Sequence, residues 1–389
     1  MTDLAMKRSG RSLHGREVGQ VDDMIVDVLT RIDRALPSFI DRFPAPSSEN
    51  GFYRATDNDE WTNGFWTGMM WLSWELTGKR NYRVAAEAQL ATFVQRLGRR
   101  INLDHHDLGF LYTLSACAAH QLTRSPEGRA AGISAARLLL SRFDPIAGVI
   151  QAWGDMTDPK QRGRMIIDCN LNLPLLYWAG RETGEHSFRE AADRHFAQAA
   201  RLLVRPDGST FHTFYVDTET GAPRHGSTHQ GYSDDSCWAR GQAWGIYGFA
   251  LGFRHNQDPD LLRLSARLAD YFIARLPSDG VCGWDLVFTD DGVQRDSSAA
   301  AIAACGLLEL AGALPGPDPS RAKYERWAWT ILRSLHEAYL APLEESNGVL
   351  AHGVYHMPNA VGVDESCIWG DYFYLEALMR LRRPWVPYW

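Results

Sequence analysis

Residues 61–100 read WTNGFWTGMMWLSWELTGKRNYRVAAEAQLATFVQRLGRR and hold one full unit of the pattern that decides the fold. The first half, residues 61–76, has apolar or small residues on nearly every face, as in a helix buried on most sides. The second half, residues 82–100, has an arginine-rich polar face, as in a helix with one side in solvent. Gly78 stands between them, where a left-handed residue ends a helix. The stretch therefore predicts an inner helix followed by an outer helix.

The same two kinds of helical segment alternate along the chain, with apolar residues at i, i+3, i+4 and i+7 spacing. The inner kind covers residues 61–76, 108–122, 171–181, 238–253, 297–310 and 366–381. The outer kind covers residues 21–43, 82–100, 128–143, 188–204, 261–276 and 322–340. Gly184 and Gly312 repeat the joint at Gly78. Six such pairs predict an all-α ring of helical hairpins that closes on itself.

One stretch interrupts this helical pattern. Residues 210–217 alternate as a short strand, and residues 218–236 read as a loop rich in Gly, His and Ser. No linker divides the chain. We therefore predict a single domain over residues 1–389, in which residues 1–20 are loosely ordered.

The composition is that of an ordinary globular protein. With 389 residues and 45% hydrophobic content, the chain can bury a large core without disulfides or metals. The formal net charge of -7 is spread along the sequence, which favours neither a nucleic-acid nor a membrane partner. The six cysteines stand far apart, as in reduced, buried thiols. No apolar run approaches the roughly 20 residues of a membrane span and no secretory segment is recognisable, so we expect a cytoplasmic protein.

Polar residues collect at the N-terminal edges of the inner segments. In a ring of parallel inner helices these edges meet at one end, where a ligand pocket is expected. Asp at a helix start is first of all an N-cap, and we interpret Asp296 and Asp364 in this way. Asp107 follows two histidines, and Asp168 lies beside two asparagines. An N-cap alone does not need such polar neighbours. Two carboxylates entering one pocket are the usual equipment of glycoside chemistry.

Two histidine pairs have the i, i+4 spacing that a zinc site uses. They are His225 with His229, and His352 with His356. Neither pair lies in a helical pattern, and no nearby Glu or Cys completes a ligand set. We therefore interpret all four as loop histidines and predict neither a metal nor a cofactor. The chain also lacks GxxxxGK[ST] and GxGxxG motifs, which disfavours nucleotide chemistry.

Several motifs, in this order along the chain, are similar to those of one enzyme family. They are WTNGFW at residues 61–66, HDLGF at 106–110, IDCN at 167–170, DSCWARGQAWG at 235–245 and WGDY at 369–372. Together they resemble the unsaturated glucuronyl hydrolases, glycoside hydrolase family 88. The likeness spans residues 61–381. It implies an (α/α)6 barrel of six inner and six outer helices, in agreement with the ring predicted from periodicity.

The resemblance also implies an unusual reaction. Enzymes of this type hydrate the C4=C5 double bond of a 4-deoxy-4,5-unsaturated uronic acid at the non-reducing end of an oligosaccharide left by a lyase. By motif, Asp168 is expected to be the general acid and base, and Asp107 its assisting carboxylate. The residues expected to bind the substrate are Trp61, His212, Gln230, Trp238, Arg240, Trp244 and, as a weaker candidate, Ser366.

One departure from the family pattern bears on specificity. Relatives that accept sulfated glycosaminoglycan disaccharides tend to carry a Ser-rich stretch and a lysine immediately before the Gly-Asp-Tyr. This chain has Asp364, Cys367 and Trp369 there. With an acid in place of a hydroxyl and no cation, the sequence predicts an unsulfated unsaturated disaccharide as substrate.

Three alternatives remain open from the sequence. The sibling family of unsaturated rhamnogalacturonyl hydrolases shares the barrel and the chemistry, although His106, Asp107 and Asp168 favour the glucuronyl side. A sugar epimerase or an inverting glycosidase is a second alternative on the same architecture. A helical-repeat scaffold without catalysis is the third and most remote.

Overall fold

Two concentric layers of helices form the protein, as seen in a computed structural model that describes residues 15–389. The inner helices are Asn63–Thr77, the continuous run Leu108–Tyr112, Thr113–Cys117 and Ala118–Thr123, then Pro174–Thr183, Ala239–Asn256, Ser297–Ala313 and Ile368–Arg382. The outer helices are Gly15–Ala35, Arg80–Arg99, Pro126–Leu140, His186–Leu202, Pro259–Ile273 and Pro319–Ala338. Neighbouring inner helices pack together around the ring, and the sixth packs against the first. The predicted (α/α)6 barrel is confirmed.

The helix boundaries follow local chemistry. Gly78 and Gly184 end the first and third inner helices with φ values of 71° and 77°, as their joints predicted. Gly312 does not repeat this role, because the fifth inner helix continues through it to Ala313 and ends in extended backbone at Leu314. That third joint was therefore predicted wrongly. Proline occupies the first helical turn of several outer helices, where its missing N–H leaves no hydrogen bond unmade.

The first outer helix differs from its prediction at both ends. It begins at Gly15, so residues 15–20 belong to the helix. The rest of that prediction, residues 1–14, lies outside the described residues. The helix ends at Ala35, well before the predicted residue 43, because Pro37 follows and a 3-10 turn, Leu36–Ser38, takes over.

Short strands lie between the helices, mostly in the segments that lead into the inner ring. Thr213–Val216 is the middle strand of a three-stranded antiparallel sheet with Arg164–Ile166 and Pro223–Ser227. The strand predicted at 210–217 is therefore present, whereas part of the predicted loop 218–236 is also a strand. A hairpin of Gly353–His356 and Val361–Glu365 was not predicted.

The barrel end opposite these segments is closed by buried charges and aromatic rings. Glu309 bonds the side chains of Arg254 and Arg380, and Arg380 also bonds Glu376. The indole of Trp389 donates to Glu376 at 2.8 Å and lies parallel to the ring of Phe373. All six cysteines are buried and unpaired. Among the helices of residues 15–389, none is long and apolar enough to cross a membrane.

Candidate active site

Asp107 stands at the start of the second inner helix, but its side chain makes no capping hydrogen bond. Its two carboxylate oxygens instead face the imidazoles of His106 and His105, each at 3.3 Å. Burial by itself raises the pKa of Asp107, but these two histidines and Arg142 hold that pKa below its ordinary value. Asp107 is therefore an ionised carboxylate at neutral pH.

Asp168 lies in the 3-10 turn Ile167–Leu171 that precedes the third inner helix. Its Oδ1 atom is buried and has no hydrogen-bond partner among the described residues. Burial, reinforced by the charge of Asp107, raises the pKa of Asp168 to about 7, although Arg240 acts in the opposite direction. The site therefore holds one ionised carboxylate beside one that keeps its proton near neutral pH, which is the arrangement that general acid catalysis requires.

The two aspartates come together because small and amide residues allow their elements to touch. The backbone N–H of Phe110 donates to Oδ1 of Asn172 at 2.8 Å, and Nδ2 of Asn172 lies 3.3 Å from the carbonyl oxygen of Asp168. A Cβ atom on Gly109 would lie only 2.3 Å from the Cα atom of Asn172. Gly109 thus permits the close approach that places Asp107 next to Asp168.

His212 lies at the same end of the barrel, on the rim formed by the segments that lead into the inner helices, and is 5% exposed. Its Nδ1 accepts the backbone N–H of His229 at 3.0 Å, so the hydrogen-bond pattern assigns the proton to Nε2. Burial lowers the pKa of His212 well below its ordinary value, and the charges of His229 and Arg240 lower it further. The ring packs against Trp238 with centroids 4.3 Å apart. His212 is therefore a neutral donor at the rim.

Arg240 is buried between two tryptophans. Its guanidinium carbon lies 4.4 Å from the ring centroid of Trp238 and 4.7 Å from that of Trp369. The guanidinium donates to the backbone oxygens of Val354 and Tyr355 and to the side chain of Gln230. It therefore ties the hairpin 353–365 to the rim and orients Gln230. Its Nε is the atom left without a partner among the described residues.

Trp61 belongs to the same aromatic cluster. Its indole N–H donates to the hydroxyl of Tyr355 at 3.1 Å, and its ring stacks on Trp369 with centroids 5.3 Å apart. Trp61 is only partly buried, whereas Trp369 is fully buried. The stack thus joins a partly exposed ring to the buried core.

Two of the predicted binding residues lie deeper than a pocket wall. Trp244 is fully buried against Phe110 and Phe373, and its indole N–H has no partner among the described residues. Ser366 is 2% exposed. Its carbonyl oxygen accepts the backbone N–H of Ser48, and its own backbone N–H donates to the hydroxyl of Ser48. Contact of either side chain with a substrate stays a prediction.

Three rim residues were missing from the sequence prediction. Tyr355 supports Trp61, and Trp369 supports both Trp61 and Arg240. Trp153 is 37% exposed, and its ring lies 5.4 Å from that of His229. Trp369 could have been found from its place in the WGDY motif. No signal marks Trp153 or Tyr355, because their neighbours at the rim are distant in sequence.

Two buried carboxylates anchor the loops around the rim. Asp285 accepts the backbone N–H groups of Tyr232 at 2.9 Å and Cys237 at 3.2 Å, which holds the loop that carries Gln230. Asp371 accepts the backbone N–H of Leu350 at 2.8 Å and the hydroxyl of Tyr53 at 2.9 Å. These anchors explain how irregular segments keep a fixed geometry.

The remaining sequence candidates have local partners. Asp296 is a true N-cap, since it accepts the backbone N–H groups of Ser298 and Ala299. Asp364 is not a cap: it lies on the hairpin strand Val361–Glu365 and pairs with Nδ1 of His352 at 2.7 Å. The ring of His225 stacks on Tyr215, and Nδ1 of His356 accepts the Asn359 N–H. Within residues 15–389, no three His, Cys, Asp or Glu side chains converge as a set that could hold a metal.

The family follows from the extent of the match. Residues 31–358 match the family described as Glycosyl Hydrolase Family 88. The chain belongs to glycosyl hydrolase family 88. As a member of this family, it is a glycosidase.

Curated relatives of this family 88 chain match it over nearly its whole length. The unsaturated glucuronyl hydrolase of Bacillus sp. (strain GL1) is 47% identical over 367 residues, which cover 94% of this chain and 97% of that protein. The unsaturated chondroitin disaccharide hydrolase of Streptococcus pyogenes serotype M1 is 46% identical over 372 residues, 93% of each chain.

Solved structures of the family share the fold. The unsaturated glucuronyl hydrolase of Streptococcus agalactiae has a TM-score of 0.93 at 44% identity, covering 96% of this chain and 94% of its own. A mutant of that enzyme complexed with dGlcA-GalNAc6S has a TM-score of 0.86 at 40% identity and covers 98% of both chains.

Proposed function

We propose that the protein removes the 4-deoxy-4,5-unsaturated uronic acid from the non-reducing end of lyase-generated oligosaccharides by hydrating its C4=C5 double bond. The observation that carries the proposal is the pairing of Asp107 with Asp168, two neighbouring carboxylates of which only the second has its pKa raised to about 7. Protonation of an enol ether carbon needs a positioned acid, and Asp168 supplies one at neutral pH. The family membership and its relatives' printed activities support the same reaction.

The reaction runs in two stages in this proposal. Asp168 transfers its proton to C4, and its carboxylate then takes a proton from the water whose oxygen bonds to C5. The C5 hemiketal opens by breaking the bond between C5 and the ring oxygen, which leaves a ketone at C5 and a hydroxyl on C1. That hemiacetal expels the neighbouring sugar as an alcohol and becomes an aldehyde. Asp168 regains its proton when water is deprotonated, so it acts once as acid and once as base.

The rim residues fit the binding of a planar, anionic sugar ring. The Nε2–H of His212 and the amide of Gln230 are neutral hydrogen-bond donors, and the stacked guanidinium of Arg240 supplies positive charge. Trp61 is partly exposed and offers an aromatic face that suits the flattened unsaturated ring, and Trp238 supports His212 and Arg240 beside it. Trp153 is exposed beside His229 and offers a platform for the sugar that follows.

We propose that the preferred substrate carries no sulfate. The carboxylate of Asp364 is about half exposed on the hairpin that borders the pocket, and no cation replaces the lysine of sulfate-accepting relatives. An anion at this place repels a sulfate group. A disaccharide pair that differs only in 6-sulfation tests this: we expect a higher kcat/KM for the unsulfated form. Clearly faster turnover of the sulfated form would contradict the assignment. Asp364→Ser removes the negative charge and is expected to reduce the preference for the unsulfated form, and Asp290→Ser, at another exposed aspartate, is its control.

The variant Asp168→Asn tests the proposed function. The amide keeps the shape of the carboxyl group but cannot donate a proton to C4 or accept one from water. We expect loss of nearly all turnover, measured as the decay of the ultraviolet absorbance of the conjugated double bond, while substrate binding measured by calorimetry is retained. Wild-type protein that binds but does not consume an unsaturated glucuronyl disaccharide would refute the proposal.

We also infer that residues 1–389 act as one catalytic domain in the cytoplasm. The hydrophobic core is one contiguous cluster that extends from Val21 to Trp389. The buried, unpaired cysteines suit a reducing compartment. Fractionation of the native host with an antibody tests the location.

A further inference from the structure

Two buried histidines, His106 and His195, interact with each other beside Asp107. His106 precedes Asp107 in the chain and is 2% exposed. His195 is fully buried and belongs to the outer helix His186–Leu202. It lies on the apolar face of that helix together with Ala192 and Ala199. A histidine at this place in the apolar pattern indicates a buried imidazole that needs hydrogen-bond partners.

One extended segment of backbone contacts both residues, through the imidazole of His195 and through the backbone of His106. The N–H of Ile150 donates to Nδ1 of His195 at 2.9 Å, and the carbonyl oxygen of Ala152 accepts the backbone N–H of His106 at 2.7 Å. In extended backbone, the N–H and C=O groups of residues two apart face the same edge. The intervening Gln151 donates to Arg142 on the opposite edge, as this geometry requires. His106 and His195 therefore lie along the same edge of this segment.

The hydrogen bonds assign the tautomer of each ring. Since Nδ1 of His195 accepts the Ile150 N–H, the proton of neutral His195 is on Nε2. Nε2 of His106 faces a carboxylate oxygen of Asp107 at 3.3 Å, so the proton of neutral His106 is also on Nε2. What remains is a donor, Nε2–H of His195, and an acceptor, Nδ1 of His106. Both atoms are buried and without a partner among the described residues.

His105 does not replace His106 as the donor to Asp107 in its neutral form. Its Nδ1 accepts the backbone N–H of Asp107 at 3.0 Å, and its Nε2 lies 2.8 Å from the carbonyl oxygen of Asn102. The neutral ring is therefore protonated on Nε2, and its Nδ1 offers Asp107 a hydrogen only in the charged form of the ring. In the neutral site, the Nε2–H of His106 is therefore the imidazole hydrogen that faces Asp107.

We propose that a buried water molecule accepts the Nε2–H of His195 and donates to Nδ1 of His106, so that His195 is a positioning residue that directs the Nε2–H of His106 at Asp107. A polar site with a free donor and a free acceptor is where a buried water is expected. The inference rests on the proposed function, because it gives Asp107 its ionised state during the reaction.

The charges around these groups are consistent with a neutral relay. Burial lowers the pKa of His106 to about 4 and that of His195 to about 3, so both rings are neutral over the working range. The titratable and charged groups that face Asp107 or His106 from the surrounding elements are His105, Arg142, Asp168, Cys169, His195, His212 and Tyr355.

Without the relay, His106 is free to adopt the Nδ1–H tautomer. Its Nε2 lone pair then faces the carboxylate of Asp107, which favours protonation of that carboxylate and raises its pKa. Asp107 must be ionised for the reaction, so activity falls as the pH drops through that pKa. A raised pKa moves this acid-side fall to higher pH.

Two substitutions of His195 separate the relay from packing. Asparagine places an oxygen where Nδ1 was, so His195→Asn keeps the acceptor for Ile150 and loses the donor toward His106. Glutamine reaches the position of Nε2, so His195→Gln keeps a donor and loses the acceptor. We expect His195→Asn to move the acid limb of kcat/KM up by about one pH unit, with the alkaline limb unmoved. We expect His195→Gln to keep both limbs while its thermal stability falls.

An unmoved acid limb in His195→Asn would overturn the proposal, as would equal shifts in both variants. A measurement on the wild-type protein also tests the relay: ¹⁵N-histidine NMR reports the tautomer of each ring, and the signals of His106 are identified by their absence from His106→Gln. We expect both His106 and His195 as neutral Nε2–H tautomers from pH 5 to 8. An Nδ1–H form of His106 would also overturn the proposal. If the wild type fails to consume unsaturated disaccharide, the proposed function fails, and the NMR result still decides the relay.

Discussion

At the residue scale, the site shows how one side-chain type acquires two protonation states. Asp107 faces two imidazoles, whereas one oxygen of Asp168 is buried with no hydrogen-bond partner among the described residues. Hydrogen-bond donors favour a carboxylate, and burial without them favours the carboxylic acid. The two pKa values are thereby driven apart, and each residue gains a separate role.

The charge of Asp107 contributes to the raised pKa of Asp168, after burial. Asp107→Asn removes that charge, so the pKa of Asp168 falls from about 7, although burial keeps it above its ordinary value. The catalytic acid must be protonated, so activity falls as the pH rises through this pKa. We expect the alkaline limb of kcat/KM for the residual activity to move about one unit to lower pH.

The exposed Asp104 lies in the same loop and provides the matched control for Asp107. Asp104→Asn is expected to leave both limbs of the profile in place. An alkaline limb that stays at the wild-type position in Asp107→Asn would show that the two carboxylates do not interact.

At the element scale, close backbone approach sets the distance between the catalytic groups. Gly109 brings the second inner helix against the 3-10 turn Ile167–Leu171, and Gly64 brings the first inner helix against the backbone of Phe110. A Cβ atom on Gly64 would lie 2.0 Å from the carbonyl oxygen of Phe110. Two glycines thus allow three consecutive inner elements to pack closely at the pocket.

Gly109→Ala forces the second inner helix and Asn172 apart, since the new Cβ atom has no room. A displacement of about 1 Å is enough to reduce turnover roughly 100-fold. We expect kcat to fall by about that factor, measured at saturating substrate. Gly98→Ala is the control: its Cβ meets nothing within 4 Å on the helix Arg80–Arg99, and we expect unchanged kcat. Full activity of Gly109→Ala would show that this contact does not position Asp107.

The sequence was sufficient for the helices but not for the segments between them. Helical periodicity depends on burial of one face, which is a local property, so all twelve helical segments were predicted, with errors mainly at the ends. The hairpin 353–365 is held by Arg240, more than 100 residues away, and no local pattern reports such a contact. For the same reason the motifs identified Trp244 but not its depth in the core.

At the scale of the whole molecule, the barrel separates chemistry from support. The pocket residues lie where the inner helices begin, and the opposite end is closed by the network of Glu309, Arg254, Arg380 and Glu376. The two acidic residues of this network are at most 3% exposed, and the pKa of Glu309 is lowered to about 2, since the two arginines outweigh the effect of burial. This network supports the ring without taking part in catalysis.

Arg380→Met leaves Glu376 and Glu309 buried with fewer partners. Removing one partner of a buried ion pair costs about 3–5 kcal/mol. We expect the free energy of unfolding in urea to fall by about that amount, with kcat/KM per folded molecule unchanged. Arg333→Met is the control, because its pair with Glu337 is solvent-exposed and contributes at most about 1 kcal/mol. Similar losses in both variants would contradict a structural role specific to the buried network.

Protonation of C4 by Asp168 is followed by running the reaction in D₂O and observing the product by NMR. We predict that the vinyl signal of H4 disappears at the rate at which the second sugar is released. We also predict that one deuteron enters C4 on a single face. Release of the second sugar with the C4=C5 bond intact would contradict the mechanism, as would deuterium on both faces of C4 at early times, before the hydrogens beside the new C5 ketone exchange with solvent.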